Sequence, residues 1–328
     1  MKNKKMWTLL VHLSMHYAYG HYDYLPFDDD MWDWILENAV KSGYNTILLD
    51  LCDGLQYASH PEIAMNGAWS RAKLRQELKK CQDMGLTLIP KLNFSAPHSN
   101  WLGKYRRMIS TEEYYKVCRD LIQEVYELFD HPEYIHIGMD EEDEAHGRKN
   151  QEGYFMIRQG ELYWHDLRYL MDCVTDTGAK PWIWHDSFGN HQEEYCQHFE
   201  MNEALLSVWY YHQLDEKYFT PFSEYKHDKS QYYGLDLQYV EDIPKLKRIR
   251  DYALDWAREG NEITPTAWAF NEGNIHQLME FFHNGAPDQQ ILGMIVSIWK
   301  STQWQNKEVF EKAFSEFKAA KDEFYPDK

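Results

Sequence analysis

The amino-acid sequence predicts an α/β fold, a single-domain (β/α)8 TIM barrel over residues 1–328. Strand-like and helix-like segments alternate from end to end, which specifies parallel strands joined by helical crossovers. Eight such repeats favour a closed barrel over an open sheet. A doubly wound sheet is the alternative, but the chain after the first strand, at 17–22, lacks the G-x-G-x-x-G turn of that fold.

Four predicted strands and three predicted helices fill the first half of the chain. Strands are predicted at Trp7–Leu13, Asn45–Leu51, Leu86–Phe94 and from Tyr134 onward, each as an apolar run typical of a buried parallel sheet. Helices are predicted at Asp29–Ser42, Arg71–Met84 and Ser110–Phe129. Acids at 28–30 suit the start of the first helix, Gly43 suits its end, and Ser110-Thr-Glu-Glu resembles a capping box.

The second half continues the alternation. Strands are predicted at Pro181–Trp184, Ala204–Tyr210, Ile263–Phe270 and Ile291–Trp299, and helices at Glu161–Thr177, Pro244–Glu259, Asn274–His283 and Asn306–Phe324. An irregular stretch at about 211–242, rich in Tyr and His, follows the sixth strand. A connection of that length in a compact domain is typically a functional lid or an insertion.

Composition restricts the class of partner. The net charge of −19 argues against a nucleic acid and against an anionic membrane surface, and it favours a neutral substrate. The 13 Trp, 24 Tyr and 15 Phe could supply either platforms for sugar rings or a large aromatic core. Composition does not separate these two interpretations, and it leaves the oligomeric state open.

Cysteine usage and the N-terminus bear on the compartment. The five cysteines are odd in number and lack zinc-site spacing, so we expect free thiols, a reducing compartment and a cytoplasmic location. Lysines at 2, 4 and 5 precede a short apolar run that contains His12, which favours a first strand over a signal peptide. A signal removed from a longer precursor would make the protein secreted or periplasmic instead. No stretch has the length and apolarity of a membrane span.

The stretch Tyr134–Glu144 carries the strongest sign of chemistry. Its apolar strand ends at Gly138 and runs directly into five acids at 140–144. Catalytic side chains of a barrel come from the C-terminal ends of strands, so Asp140 and Glu141 are the candidate catalytic pair. Adjacent carboxyls resist joint ionisation, so one could hold a proton while the other stays charged. Residues 142–144 are expected to be a solvated loop.

Further polar and aromatic residues fall at other strand ends. Four successive strands end in tryptophan, at Trp184, Trp209, Trp268 and Trp299, where barrel interiors usually carry Val, Ile or Leu. An aromatic-walled sugar subsite is the favoured interpretation. The remaining candidates for substrate binding are His12, Asp50, Asn93, His98 and Asp186.

A family resemblance adds to these patterns. The segment His136-Ile-Gly-Met-Asp-Glu141 resembles the H-x-G-G-D-E motif of glycoside hydrolase family 20, the β-N-acetylhexosaminidases. Three further segments resemble family stretches in the same order along the chain, namely Ala39–Asn45, Ile89–Ser99 and Gly293–Trp299. The resemblance therefore covers roughly the whole predicted barrel.

The resemblance implies roles for the acids. Glu141 would be the general acid, and Asp140 would orient and stabilise the substrate's 2-acetamido group, which itself attacks the anomeric carbon. The implied reaction is removal of a terminal N-acetylhexosamine or related sugar, with neither cofactor nor metal. Four positions depart from the family pattern: the first strand lacks its Arg, Lys91 replaces a Glu, Met139 replaces the second Gly of the motif, and the acetamide-contacting Tyr has Trp268 as its nearest counterpart. These departures predict that recognition of the outer sugar hydroxyls is rebuilt.

Two alternatives remain open at this level. The missing Arg also suits a carbohydrate-binding barrel that does not turn its ligand over. A metal-dependent hydrolase could use the acid cluster at 140–144 together with His146, since carboxylate oxygens suit Mg²⁺ or Ca²⁺.

Overall fold

The computed structural model describes residues 5–16, 22–150, 155–211 and 243–326. Within these ranges, eight parallel strands form a closed barrel in sequence order, and the last strand pairs with the first. Helices lie between successive strands around the barrel. The predicted (β/α)8 fold is therefore confirmed.

The bounds of the elements are as follows. The strands are β1 Met6–His12, β2 Thr46–Asp50, β3 Thr87–Lys91, β4 Tyr134–His136, β5 Lys180–Trp184, β6 Leu205–Trp209, β7 Ile263–Trp268 and β8 Gly293–Ser297. The helices are α1 Asp29–Ser42, α2 Arg71–Asp83, α3 Glu112–Leu128, α4 Glu144–Asn150, α5 Glu161–Thr175, α6 Asp186–Asn190, α7 Gln192–His198, α8 Ile243–Arg258, α9 Asn274–Gly285 and α10 Lys307–Phe324.

The predicted elements are found, with informative differences at their ends. Several strands stop two or three residues early, because the apolar run continues into loops at the barrel's C-terminal rim. The cap of α3 is Thr111, which accepts from the backbone N–H of Tyr114, whereas Ser110 donates to Asp166. The short helices α4, α6 and α7 are not predicted. The irregular stretch beyond residue 211 lies outside the described residues.

Two hydrophobic layers fill the fold. One lies between the strands and the helices, and the other fills the barrel interior with side chains that include Leu10, Leu48, Ile89 and Trp182. Above this interior layer the register aligns four polar residues across β1–β4, namely His12, Asp50, Lys91 and His136. All four are buried, so a polar layer separates the apolar barrel floor from the C-terminal rim of the barrel.

Two expectations from the sequence concern free cysteines and membrane-spanning segments. All five cysteines are free thiols, and only Cys196 is exposed. No helix in the described ranges is long and apolar enough to cross a membrane.

Candidate active site

The loop after β4 carries the two candidate catalytic acids in an unusual backbone conformation. Gly138, Met139 and Glu141 have φ of 75°, 67° and 52°, in the left-handed region that costs non-glycine residues roughly 1–2 kcal/mol each. A Cβ at Gly138 would lie 2.1 Å from Asn93 Oδ1, so no larger residue fits there. Surrounding contacts must therefore hold this loop in place.

Glu142 supplies those contacts. Its carboxylate accepts hydrogen bonds from the backbone N–H groups of Ala96, at 2.8 Å, and of Arg158, at 3.0 Å. The buried guanidinium of Arg158 lies 3.6 Å from the same carboxylate and pairs with Asp166 at 2.8 Å. The prediction of a solvated Glu142 is wrong, since its side chain is 6% exposed. The cause is an arginine sixteen residues further along the chain.

Residues of the loop after β3 hold Asp140 in place. Its Oδ1 accepts a 2.9 Å hydrogen bond from Asn93 Nδ2, and its backbone carbonyl accepts a 2.5 Å bond from Ser95 Oγ. Its Oδ2 lies 3.4 Å from His98 Nε2. The structure thus brings the predicted residues Asn93, His98 and Asp140 together.

Glu141 is bordered by two imidazoles. Its Oε2 lies 3.1 Å from His98 Nε2, and its Oε1 lies 3.3 Å from His146 Nε2. Its backbone N–H donates to Asp186 Oδ1 at 3.3 Å. The Glu141 side chain is 30% exposed, so a ligand can reach it from the open face of the barrel.

The titration behaviour of this group differs from the prediction of a protonated acid beside a charged one. Burial favours the neutral forms, but it is outweighed at Glu141 and His98. The hydrogen bond and charge of His98 lower the pKa of Glu141, and the charges of Asp140 and Glu141 raise the pKa of His98. These contacts therefore favour the carboxylate form of Glu141 and the protonated form of the neighbouring His98 imidazole.

The raised carboxyl pKa belongs to Asp186 instead. Burial and the nearby charge of Asp140 raise the pKa of Asp186 to about 7, although the 2.8 Å hydrogen bond from Trp209 Nε1 opposes the shift. Asp186 was predicted to contact substrate. In the structure it lies beside the acid pair and supports the Glu141 backbone.

The four strand-end tryptophans form two groups. Trp184 is buried against Trp299, with ring centroids 6.1 Å apart, and the Trp299 ring lies 5.2 Å from His12. Trp209 stacks on Tyr211 at 5.2 Å, and Tyr211 in turn lies 5.7 Å from Trp268. Of these rings at the ends of β5 to β8, Trp184 and Trp268 are buried, whereas Trp209, Tyr211 and Trp299 are partly exposed.

Tyr211 was not predicted to be a site residue. The Tyr211 hydroxyl lies 3.4 Å from Ser297 Oγ at the end of β8. Burial, together with the charges of Asp140 and Glu141, raises the pKa of Tyr211 well above its usual value. A neutral hydroxyl is thus within electrostatic reach of the acid pair. The only sequence signal was its position two residues after Trp209.

His12 and Asp50, both predicted to bind substrate, lie deeper than expected. Lys91 Nζ is 2.7 Å from Asp50 Oδ2, and His12 Nδ1 is 3.2 Å from the same oxygen. All three side chains are buried. Burial opposes the charge on Asp50, but Lys91 and His12 lower the pKa of its carboxyl. These groups form part of the buried polar layer beneath the rim.

One donor set is compatible with a metal ion. Among the described residues, His98, Asp140 and Glu141 each present one potential ligand atom, all within 4.8 Å of one another. Glu142, which the metal hypothesis also required, is turned away towards Arg158. The hydrogen bonds given above account for the same approach of His98 to the two acids.

The comparisons with known proteins bear on the family and the fold of this chain. The chain matches the model of the glycosyl hydrolase family 20 catalytic domain over residues 61–323. A search of curated proteins finds no match.

Solved structures share the fold. A β-N-acetylhexosaminidase from Bacteroides fragilis matches with a TM-score of 0.62 and 11% identity, over 96% of this chain and 65% of its own. A β-N-acetylhexosaminidase from Streptomyces coelicolor matches with a TM-score of 0.62 and 13% identity, over 97% of this chain and 64% of its own. An exo-β-N-acetylglucosaminidase from Vibrio harveyi, solved with N-acetylglucosamine, matches with a TM-score of 0.62 and 12% identity, over 97% of this chain and 54% of its own. This chain thus spans less than two thirds of each relative. The family match covers most of its residues, and the chain belongs to glycosyl hydrolase family 20.

Proposed function

We propose that this barrel is a glycosidase that removes a terminal β-linked N-acetylhexosamine, with the whole chain acting as one catalytic domain. The observation that carries the proposal is the contact of one imidazole, His98, with both Asp140 and Glu141 at the open rim. Two adjacent carboxyls with different hydrogen-bond partners can take different roles in one reaction.

Glu141 is the proposed general acid. It is the more exposed member of the pair, so a glycosidic oxygen can approach its carboxyl group. A sugar that covers the site removes water from around Glu141, which favours the neutral carboxyl over the carboxylate. The proton then passes to the leaving oxygen as the bond to the anomeric carbon breaks.

Asp140 is the proposed partner of the 2-acetamido group. Asn93 and His98 fix its carboxylate, which can accept from the acetamide N–H and stabilise the positive charge that develops there. The acetamide oxygen attacks the anomeric carbon, so the enzyme needs no nucleophile of its own. Tyr211 is a better candidate than Trp268 to hold that oxygen, because its neutral hydroxyl can donate a hydrogen bond.

The rim aromatics support a sugar ligand. Trp209, Tyr211 and Trp268 present contiguous rings, and such surfaces pack against the C–H faces of sugars. The buried ion pair of Asp50 with Lys91 lies below, so we propose that His12 and Asp50 shape the floor of the pocket. This arrangement contains no first-strand Arg, in line with rebuilt recognition of the outer hydroxyls.

A panel of aryl glycosides tests the proposal. It includes the β-N-acetylglucosaminide, the β-N-acetylgalactosaminide and their 2-hydroxy counterparts. We expect turnover of 2-acetamido substrates alone, and a loss of roughly 10²–10⁴-fold in Glu141→Gln, the usual contribution of a general acid. Asp140→Asn should lose activity without losing the fold, as measured by circular dichroism. Equal cleavage of the 2-hydroxy sugars, or full activity of Glu141→Gln, would refute the assignment.

A carbohydrate-binding barrel without turnover is the second candidate. The lowered pKa of Glu141 favours it, because a carboxylate cannot act as an acid. This hypothesis expects calorimetric binding of N-acetylhexosamines to wild-type protein and no hydrolysis of any member of the panel.

A metal-dependent hydrolase is supported only by the donor set of His98, Asp140 and Glu141. Dialysis against a strong chelator distinguishes it from the main proposal. Activity that persists after dialysis contradicts metal dependence, whereas loss of activity that added Mg²⁺ or Ca²⁺ restores would support it.

A further inference from the structure

The acid pair has a second imidazole, which the sequence analysis considers only as a metal ligand and the family motif does not include. His146 lies on α4, and its Nε2 is 3.3 Å from Glu141 Oε1. His98 contacts the other carboxyl oxygen, so each oxygen of Glu141 faces a different histidine. The two histidines come from different loops and have different surroundings.

Asp143 fixes the orientation of His146 through both of its oxygens. Oδ1 accepts from the backbone N–H of His146 at 2.9 Å and thereby caps α4, while Oδ2 accepts from the ring Nδ1 at 2.7 Å. With Nδ1–H committed to Asp143, the ring directs Nε2 at Glu141. A carboxylate behind an imidazole both sets the tautomer and stabilises the charged ring.

The surroundings of the two histidines imply different tasks. His98 bridges Asp140 and Glu141, and its Nδ1 faces the side-chain amide of Asn150, which does not titrate. Behind His146, by contrast, is a titratable carboxylate with a side chain 49% exposed. His146 is therefore the one of the two that connects Glu141 to solvent through ionisable groups.

The charges that face His146 favour a proton on this ring. Burial lowers its pKa, but the hydrogen bond that the ring donates to Asp143 and the charge of Glu141 outweigh burial and raise the pKa to about 9, against the opposing charge of Lys149. These charges thus favour a proton on an imidazole nitrogen that lies 3.3 Å from Glu141 Oε1.

On the basis of the proposed function, we propose that His146, oriented by Asp143, is a positioning residue that supplies a proton to Glu141 when substrate binds. The proton moves from His146 Nε2 to Glu141 Oε1 and then to the leaving oxygen, as the acetamide oxygen bonds to the anomeric carbon. Water next attacks that carbon, opens the oxazolinium ring and gives its proton to Glu141. The proton returns to His146 as the product leaves, so the cycle is balanced.

A series of leaving groups separates this role from a structural one. An N-acetylhexosaminide whose leaving group is a very acidic phenol needs little proton donation to the leaving oxygen. A methyl glycoside, whose leaving group is methanol, needs much more. For His146→Gln we expect kcat/KM to fall by less than about threefold on the most activated substrate and by roughly tenfold to hundredfold on the least activated one. Asp143→Ser keeps a capping oxygen for α4 but cannot reach the ring, so it should show the same trend.

A control variant and a spectroscopic readout complete the test. His191→Gln removes another histidine with an acidic neighbour at i,i+3, at the N-cap position of α7, and should not change the activity on any substrate of the series. NMR titration of the imidazoles should show the His146 pKa falling in Glu141→Gln. An equal loss on every leaving group, or an unmoved His146 titration, would overturn this inference alone. If the wild-type protein hydrolyses no substrate of the series, the proposed function is overturned and the inference with it.

Discussion

Lys91 Nζ lies 2.7 Å from Asp50 Oδ2 inside the barrel, and neither side chain reaches solvent. The pair joins β2 to β3 in the layer directly below the catalytic rim. Removal of one partner leaves a buried charge, which typically costs roughly 3–5 kcal/mol, whereas replacement of both by apolar groups is often neutral.

The first prediction concerns this ion pair. Lys91→Met should lower the free energy of unfolding by roughly 3–5 kcal/mol, and adding Asp50→Leu should recover most of that loss. Urea denaturation of the single and double variants measures both values. If the double variant is no more stable than Lys91→Met, the unpaired Asp50 charge is not the cause of the loss.

The second prediction concerns Gly138, whose missing Cβ leaves room for Asn93. Gly138→Ala should displace Asn93, release its hydrogen bond to Asp140 and reduce kcat/KM on 2-acetamido substrates by at least tenfold. Gly85→Ala is the matched control, because Gly85 also has a positive φ but nothing within 4 Å of a Cβ. The control should lose roughly 1–2 kcal/mol of stability and no activity. Equal activity in the two variants would contradict the steric argument.

The third prediction compares two glutamates of the same acidic run. Glu142→Gln weakens the pairing with the buried Arg158 that holds Glu141 at its positive φ, so both stability and kcat should fall. Glu144→Gln should change stability by less than about 0.5 kcal/mol, since that side chain is 66% exposed. Thermal unfolding and turnover of both variants test this, and similar behaviour would mean that Glu142 does not support the loop.

The fourth prediction concerns Tyr211. Tyr211→Phe keeps the ring stacked on Trp209 but removes the hydroxyl that we propose for the acetamide oxygen. We expect kcat/KM on 2-acetamido substrates to fall roughly tenfold to hundredfold, with little change in the midpoint of thermal unfolding. Unchanged kcat/KM would assign the acetamide contact to another residue.

The barrel could be predicted because its signals are local. Alternating apolar runs specify β1–β8, and the acids at 28–30 with Gly43 set both ends of α1 correctly. The grouping of Asn93, His98, Asp140 and Glu141 could also be predicted, since parallel strands bring their C-terminal ends to one rim.

The features that could not be predicted from the sequence depend on tertiary contacts with other residues of the chain. A run of five acids gives no sign that Glu142 is buried, because the cause is Arg158, which lies beyond α4 in the same connection between β4 and β5. The buried position of Asp50 likewise depends on Lys91 in the neighbouring strand. His146 was considered only as a metal ligand, since its contact with Glu141 requires α4, which is too short for its periodicity to be recognised.

The last prediction concerns the pH dependence of stability. The pKa of His146 is raised to about 9 in the folded protein, against about 6.5 for an unperturbed histidine. The folded state therefore holds its proton more tightly than the unfolded chain does. This contribution is fully present below pH 6.5 and is lost as the pH rises through about 9.

His146→Gln should remove that part of the pH dependence. Between pH 6.5 and 9, we expect the unfolding free energy of wild type to fall, by on the order of 1–2 kcal/mol, relative to that of the variant. Urea denaturation across this range measures the difference, with His191→Gln as the control that should follow wild type. Parallel curves for wild type and His146→Gln would mean that the charges of Glu141 and Asp143 do not hold a proton on His146, and the proton supply proposed for Glu141 would lose its source.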